Sequence, residues 1–147
     1  MQNIAIVDAG PLIALFDKSD KYHEKAEEAL ENYRTKSHGR LITTWPVIGE
    51  VAYMLADHVH LQAEMDFFTW IIEGGVEIFP FGAEHLPELM ELQDKYSDIP
   101  MDFADATLVI VARQINTDKV FTVDDDFLIY RILGKKSFKN LLAIPRR

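Results

Sequence analysis

The run Ile4-Ala5-Ile6-Val7, followed at once by Asp8-Ala9-Gly10-Pro11, constrains this chain more than any other stretch. Four successive apolar residues without polar alternation read as a strand buried in a sheet. Pro11 fits the first turn of a helix, where its missing N–H leaves no bond unmade. Asp8 then closes the strand at its carboxyl end, and that edge of an open α/β sheet is where ligands bind. The rest of the chain repeats the alternation. Strands are expected over 41–43, 76–79, 119–123 and 141–144, and helices over 21–36, 46–58, 62–73, 83–96, 102–114 and 127–133. Strands that alternate with helices predict an α/β fold, with a mainly parallel central sheet flanked by helices on both faces. No repeat, low-complexity tract or Gly/Ser linker interrupts residues 1–147, so they read as one domain.

Composition narrows the function classes. A chain of 147 residues is long enough to bury a core without staples, and it has no cysteine. Disulfides and thiolate metal sites are therefore excluded, and any metal must be held by oxygen or imidazole. No apolar run approaches the roughly 18 residues of a membrane span, and the stretch Met1 to Val7 lacks the basic flank of a secretory signal. A cytoplasmic location without membrane attachment is the expectation. The net charge of −9 disfavours a protein that grips nucleic acid through its phosphates alone. It suits an enzyme whose carboxylates are concentrated in one pocket and neutralised there by divalent cations. The five histidines, His23, His38, His58, His60 and His85, show no zinc-site spacing, and no phosphate loop or serine nucleophile elbow is present.

Attention then falls on carboxylates in places where a solvated charge has no reason to be. Asp8 closes an apolar strand. Glu50 falls on the helical stripe of Val47, Val51, Met54 and Leu55, which faces a core and would need a partner there. Asp102 and Asp105 are three apart and are expected on one face of the first turn of a nearly all-apolar helix. Asp124, Asp125 and Asp126 follow the apolar run Val120 to Val123, and three adjacent like charges repel unless solvent or a cation intervenes. Each has a plainer explanation. Asp102 can be an N-cap with Asp105 completing a capping box, Asp124 can cap the helix that follows, and Asp8 can satisfy amides near Gly10. Jointly the plain explanations weaken, because parallel topology brings strand carboxyl ends and the helices after them to one edge. Bare charges converging there would be unstable, and hard cations such as Mg²⁺ or Mn²⁺ remove the instability.

Four segments taken together resemble the acidic motifs of PIN domains. They are Val7-Asp8-Ala9-Gly10-Pro11-Leu12, Glu50 in Trp45-Pro46-Val47-Ile48-Gly49-Glu50-Val51, Ala104-Asp105-Ala106, and Thr122-Val123-Asp124-Asp125-Asp126-Phe127. The opening motif followed by Asp20-Lys21-Tyr22-His23 is similar to that of VapC-type toxin ribonucleases. The resemblance implies a Mg²⁺- or Mn²⁺-dependent endoribonuclease with a parallel-sheet core. By motif matching it implies that Asp8, Glu50, Asp105 and Asp124 are catalytic and bind metal, with Asp102 and Asp126 as auxiliary ligands and Thr122 orienting a ligand through its hydroxyl. It also implies an RNA substrate and an antitoxin partner that would occlude the pocket. A homodimer is expected because symmetric dimers are the commonest soluble oligomers. Lys18, Lys21, Arg40, Arg113 and Arg131 are candidate backbone contacts, or ordinary solvated charges.

Two competing functions remain open at this stage. One is a non-catalytic PIN-like module that holds RNA or protein without cutting. The other is a phosphotransfer enzyme using Asp124 and Asp126 as an Asp-x-Asp pair, although aspartyl phosphatases carry that pair after the first strand, where this chain has Asp8-Ala9-Gly10. RNA cleavage against phosphomonoester cleavage separates them.

Overall fold

A computed structural model describes residues 3–99 and 101–142. Among these residues five strands form one sheet: β1 (Ile4–Val7), β2 (Arg40–Thr43), β3 (Glu77–Ile78), β4 (Lys119–Phe121) and β5 (Lys139–Asn140). They lie in the order β3-β2-β1-β4-β5, and every pairing is parallel. All four residues of β1 are buried, as a central strand covered on both faces requires. The two-residue strands β3 and β5 make short edges, which leaves little ladder open to another chain.

Six helices link the strands: α1 (Ala9–Phe16), α2 (His23–Thr35), α3 (Trp45–His58), α4 (Leu61–Ile72), α5 (Leu86–Lys95) and α6 (Phe103–Ile115). Local chemistry sets several of their ends. Proline stands in the first turn of α3 and of α5, and Asn116 ends α6 in the left-handed conformation at φ 54°. In α6 the nine residues Ala104 to Ala112 are all buried, so this helix is wrapped by protein around its circumference. Phe67 of α4 meets Phe16 of α1 edge-on at 5.5 Å, and Tyr130 packs against Tyr96 and Phe127 at 5.3 and 5.2 Å. Among the described residues no helix is long and apolar enough to cross a membrane.

Three sequence expectations shift. The stretch 83–96 divides into a 3-10 turn at Ala83–His85 and then α5, because Pro87 fits an opening turn but not a helix interior. The expected helix over 127–133 is a 3-10 turn at Asp125–Leu128, started earlier by an Asp124 cap. The last strand lies at Lys139–Asn140 rather than 141–144, and residues 143 and 144 fall outside the described part. There the pairing follows Asn140, whose side chain accepts a bond from the Thr122 N–H and donates one to the Thr122 carbonyl, and not apolar content.

Candidate metal centre

The chain leaves β1 toward β2 and β3 on one side and returns to β4 and β5 on the other, so the connections diverge between β1 and β4. A crevice opens outside the strand carboxyl ends at such a switch point. Asp8 follows β1 there, with its N–H bonded to the Phe121 carbonyl of β4 at 3.0 Å. Gly10 keeps the gap narrow: a Cβ on it would lie 2.1 Å from Val123 Cγ2, so only glycine lets the first turn of α1 press against the loop after β4. That loop carries Asp124.

Asp8, Asp105 and Asp124 each offer a carboxylate oxygen, and the three oxygens lie within 4.8 Å of one another. Asp8 and Asp105 are 6% and 7% exposed, and Asp124 is half-buried. Asp8 is held on both oxygens: Oδ1 accepts from the Ala9 N–H at 2.8 Å and Oδ2 from the Thr122 hydroxyl at 2.9 Å. The Thr122 Oγ1 in turn accepts from the Asp124 N–H at 2.9 Å, so one hydroxyl sets two of the acids. Asp105 receives a 3.3 Å bond from the hydroxyl of fully buried Tyr130. Tyr130 escaped the sequence reading, because nothing local distinguishes a core tyrosine from one that orients a carboxylate across the fold.

The other three acids stand apart from this trio. Asp102 is exposed and is the N-cap of α6, its Oδ1 accepting from the Asp105 N–H at 2.8 Å; it precedes the helix rather than sharing a face with Asp105. Glu50 is exposed, which corrects its expected place on a core-facing stripe. Val47, Val51 and Leu55 are buried while Met54 is only half so, and Glu50 sits on the margin of the stripe, toward the acids. Asp126 is half-buried and donates its N–H to Asp124 Oδ1 at 2.9 Å.

The acids raise one another's proton affinity. Burial foremost, with repulsion from Asp124 and Glu50, outweighs two hydrogen bonds and lifts Asp8 to about 6. Burial, then repulsion from Asp8, Asp102 and Asp124, lifts Asp105 to about 8. Partial burial and the charges of Asp102 and Asp124 raise Glu50, and burial with the charge of Asp124 raises Asp126. None of the ion pairs of the described residues uses these carboxylates. An all-oxygen cluster that is largely buried, mutually repelling and, among the described residues, without a cationic side chain is a fitting donor set for a hard divalent ion.

Of the basic candidates, the three arginines are engaged within the fold. Arg40 clasps Glu77 at the amino end of β2, with Nη2 2.6 Å from Oε1. Arg113 meets Glu88 at 3.3 Å and the Ile132 carbonyl, and Arg131 Nη1 donates to the carbonyls of Leu128, Ile129 and Tyr130. Lys21 lies over the Tyr22 ring.

Residues 5–133 match the family model for the PIN domain. The chain belongs to the PIN domain family. A curated PIN relative, Ribonuclease VapC26 of Mycobacterium tuberculosis, is 27% identical over 119 residues, which cover 81% of this chain and 85% of that protein. Two solved structures share the fold. Mycobacterium tuberculosis VapC20, described as a toxin that cleaves the sarcin-ricin loop, superposes with a TM-score of 0.74 at 20% identity, covering 84% of this PIN chain and 91% of its own. The VapBC2 complex of Rickettsia felis, bound to a DNA fragment of its promoter, gives 0.68 at 14% identity, covering 93% and 98%.

Proposed function

We propose that this single PIN domain is a metal-dependent endoribonuclease, the toxin of a toxin–antitoxin pair. The carrying observation is the cluster of Asp8, Asp105 and Asp124 at the β1/β4 switch point, largely buried and, among the described residues, without a basic partner. The family match and the ribonuclease relative support the same activity.

Asp8, Asp105 and Asp124 would hold the ion, Mg²⁺ or Mn²⁺, with Asp102 and Asp126 as auxiliary acids beside them. A divalent ion bound there supplies a lowered water pKa, in-line alignment and stabilisation of the leaving oxygen. Thr122 fixes the Asp8 carboxylate and Tyr130 that of Asp105, so the ligands are set before substrate arrives. Glu50, at the exposed lip, would help to orient the attacking water. Without a cation the pocket repels phosphate, and the same charge that binds metal keeps RNA away.

The partner follows from the charge. An antitoxin that places a basic side chain among the acids substitutes for the ion and closes the pocket, and a net charge of −9 favours such a partner. The assembly is proposed as a homodimer, checked by sedimentation. The test of activity is cleavage of a mixed RNA pool with Mn²⁺, with chelator, and by Asp8→Asn and Asp105→Asn. Metal-dependent cleavage lost in both variants is expected. Equal cleavage by Asp8→Asn, or turnover of a phosphomonoester in place of RNA, overturns the proposal. Calorimetric Mn²⁺ titration of the same proteins adds a readout apart from activity, and equal heats would count against the ligand set.

A further inference from the structure

Thr43, Thr44 and Thr107 are fully buried at places where core packing by itself asks for no hydroxyl. Thr43 ends β2, Thr44 follows it, and Thr107 stands in α6 two residues after Asp105. Between Ala104 and Ala112, Asp105 and Thr107 carry the only polar side chains. A valine would fill each place with a similar shape and no polar atom to satisfy. The ordinary reason for a threonine before a helix is absent too, because Thr44 is the N-cap of α3 and its side chain makes no cap bond.

The hydroxyls reach other elements instead. Thr43 Oγ1 donates to the Val7 carbonyl at 2.8 Å, one residue before Asp8. Thr107 Oγ1 donates to the Ala104 carbonyl at 2.7 Å, within the turn that carries Asp105. Thr44 Oγ1 lies 2.7 Å from Thr107 Oγ1, and because the Thr107 proton already goes to Ala104, Thr44 is the donor. Two adjacent residues at one strand end therefore bond both to the strand that leads into Asp8 and to the helix turn that carries Asp105.

These bonds act where other restraints give out. The register between β1 and β2 ends at Ile6 and Ile42, so Asp8 lies past the ladder on that side. Beyond Thr107, α6 is held in the core by apolar side chains such as Leu108, Val109 and Ile110, and apolar packing has no direction. Asp8 and Asp105 meanwhile repel each other. A helix turn held by packing alone can relax away from a like charge, whereas a hydrogen bond of set length and direction opposes that movement.

We propose that Thr43 and Thr44 are positioning residues of the acidic centre, which through Val7 and Thr107 hold Asp8 and Asp105 at a spacing that one ion bridges. This rests on the metal-dependent function proposed above and adds to it a support that is wholly buried.

The test compares Thr44→Val, which removes the hydroxyl and keeps the shape, with Thr44→Ser, which keeps the hydroxyl and loses a methyl. Calorimetric Mn²⁺ titration, RNA cleavage and a thermal melt in chelator are recorded for both and for the unchanged protein. Thr44→Val should bind Mn²⁺ about three- to tenfold more weakly, and in Mn²⁺ below saturation its kcat should fall by a similar factor with KM for RNA unmoved. Thr44→Ser should recover most of both losses. A role in packing alone would lower the melting temperature of Thr44→Val and leave Mn²⁺ affinity and kcat at the parent's values, which overturns the proposal. Thr44→Ser binding Mn²⁺ as weakly as Thr44→Val overturns it as well. If Thr44→Val does not melt cooperatively, Thr43→Val carries the same test from the Asp8 side, with the same expected loss of Mn²⁺ affinity. An unchanged protein that binds Mn²⁺ but cuts no RNA sinks the nuclease function alone, and the Mn²⁺ affinities still decide the positioning role. Absence of Mn²⁺ binding in the unchanged protein sinks both.

Discussion

The two ends of the sheet handle charge in opposite ways. At the amino end of β2, Arg40 pairs with Glu77, and nearby Lys119 and Tyr33 both bond to Asn3 Oδ1 at 2.7 Å. At the carboxyl ends, Asp8, Asp105 and Asp124 crowd together with Glu50, Asp102 and Asp126 around them, and among the described residues no cationic side chain answers. The first arrangement is settled within the fold. The second is unfavourable while the acids are all ionised, a conflict that protons or a bound cation would relieve, and sites built for function tend to hold such perturbed groups. Polarity alone therefore marks nothing; what matters is whether the charges are answered internally.

The largest effect should come from removing charge at the acidic end. Asp8→Asn or Asp105→Asn should lower RNA cleavage about a thousandfold or more in a Mn²⁺-supplemented assay, since ion-mediated charge stabilisation is worth several kcal/mol. Retained activity in either would mean that the two ends of the sheet do not differ in the proposed way.

Next comes the stability of the metal-free protein as pH changes. Asp8 at about 6 and Asp105 at about 8 bind protons more tightly folded than unfolded. Their contribution is complete below an unfolded value near 3.8 and is lost as pH rises through 6 and 8. Thermal melts in chelator should therefore fall from pH 4 toward pH 8. At pH 8 Asp105→Asn should be more stable than the parent by roughly 1–3 kcal/mol, and adding Mn²⁺ should reverse the order, because the ion stabilises only the parent's intact site. A flat melting profile would show that the acids are not in conflict.

Tyr130→Phe sharpens the comparison further. Its hydroxyl favours ionised Asp105, so removing it should raise the proton affinity of that acid and move Mn²⁺ binding to higher pH. Cleavage near neutrality should drop roughly three- to tenfold, in line with a hydrogen bond of about 1 kcal/mol, and should recover at higher pH. A pH-independent loss would point to packing alone. The smallest effect belongs to the opposite end, where exposed Arg40→Ala should leave cleavage unchanged and lower the melting temperature only slightly.

Much of this was legible in the residues. Ile4 to Val7 demanded a covered strand, Pro11 and Pro46 marked helix starts, and the nearly all-apolar stretch after Asp105 required a buried helix. Glu50 was less legible, because a spacing of three from Val47 and four from Met54 reaches the margin of a stripe as readily as its centre. Asp102 showed the ambiguity of an acid beside a helix start: its geometry is that of a cap, while its charge still acts on Asp105 and Glu50. The last strand was misplaced because apolar content signals burial, whereas strand register is decided by the neighbour.

By itself, the order of residues determined the alternation of strands and helices, the family motifs and the acids worth watching, since propensity, capping and periodicity act over a few residues. Which acids meet was decided only by the folded chain. Asp8 and Asp124 are brought together by parallel pairing of β1 and β4, by the Thr122 hydroxyl between them and by a glycine that permits close approach. Tyr130 reaches Asp105 from a turn 25 residues away. Those contacts depend on strand order and on helix ends tied across the core, and such long-range geometry leaves no local periodicity to read.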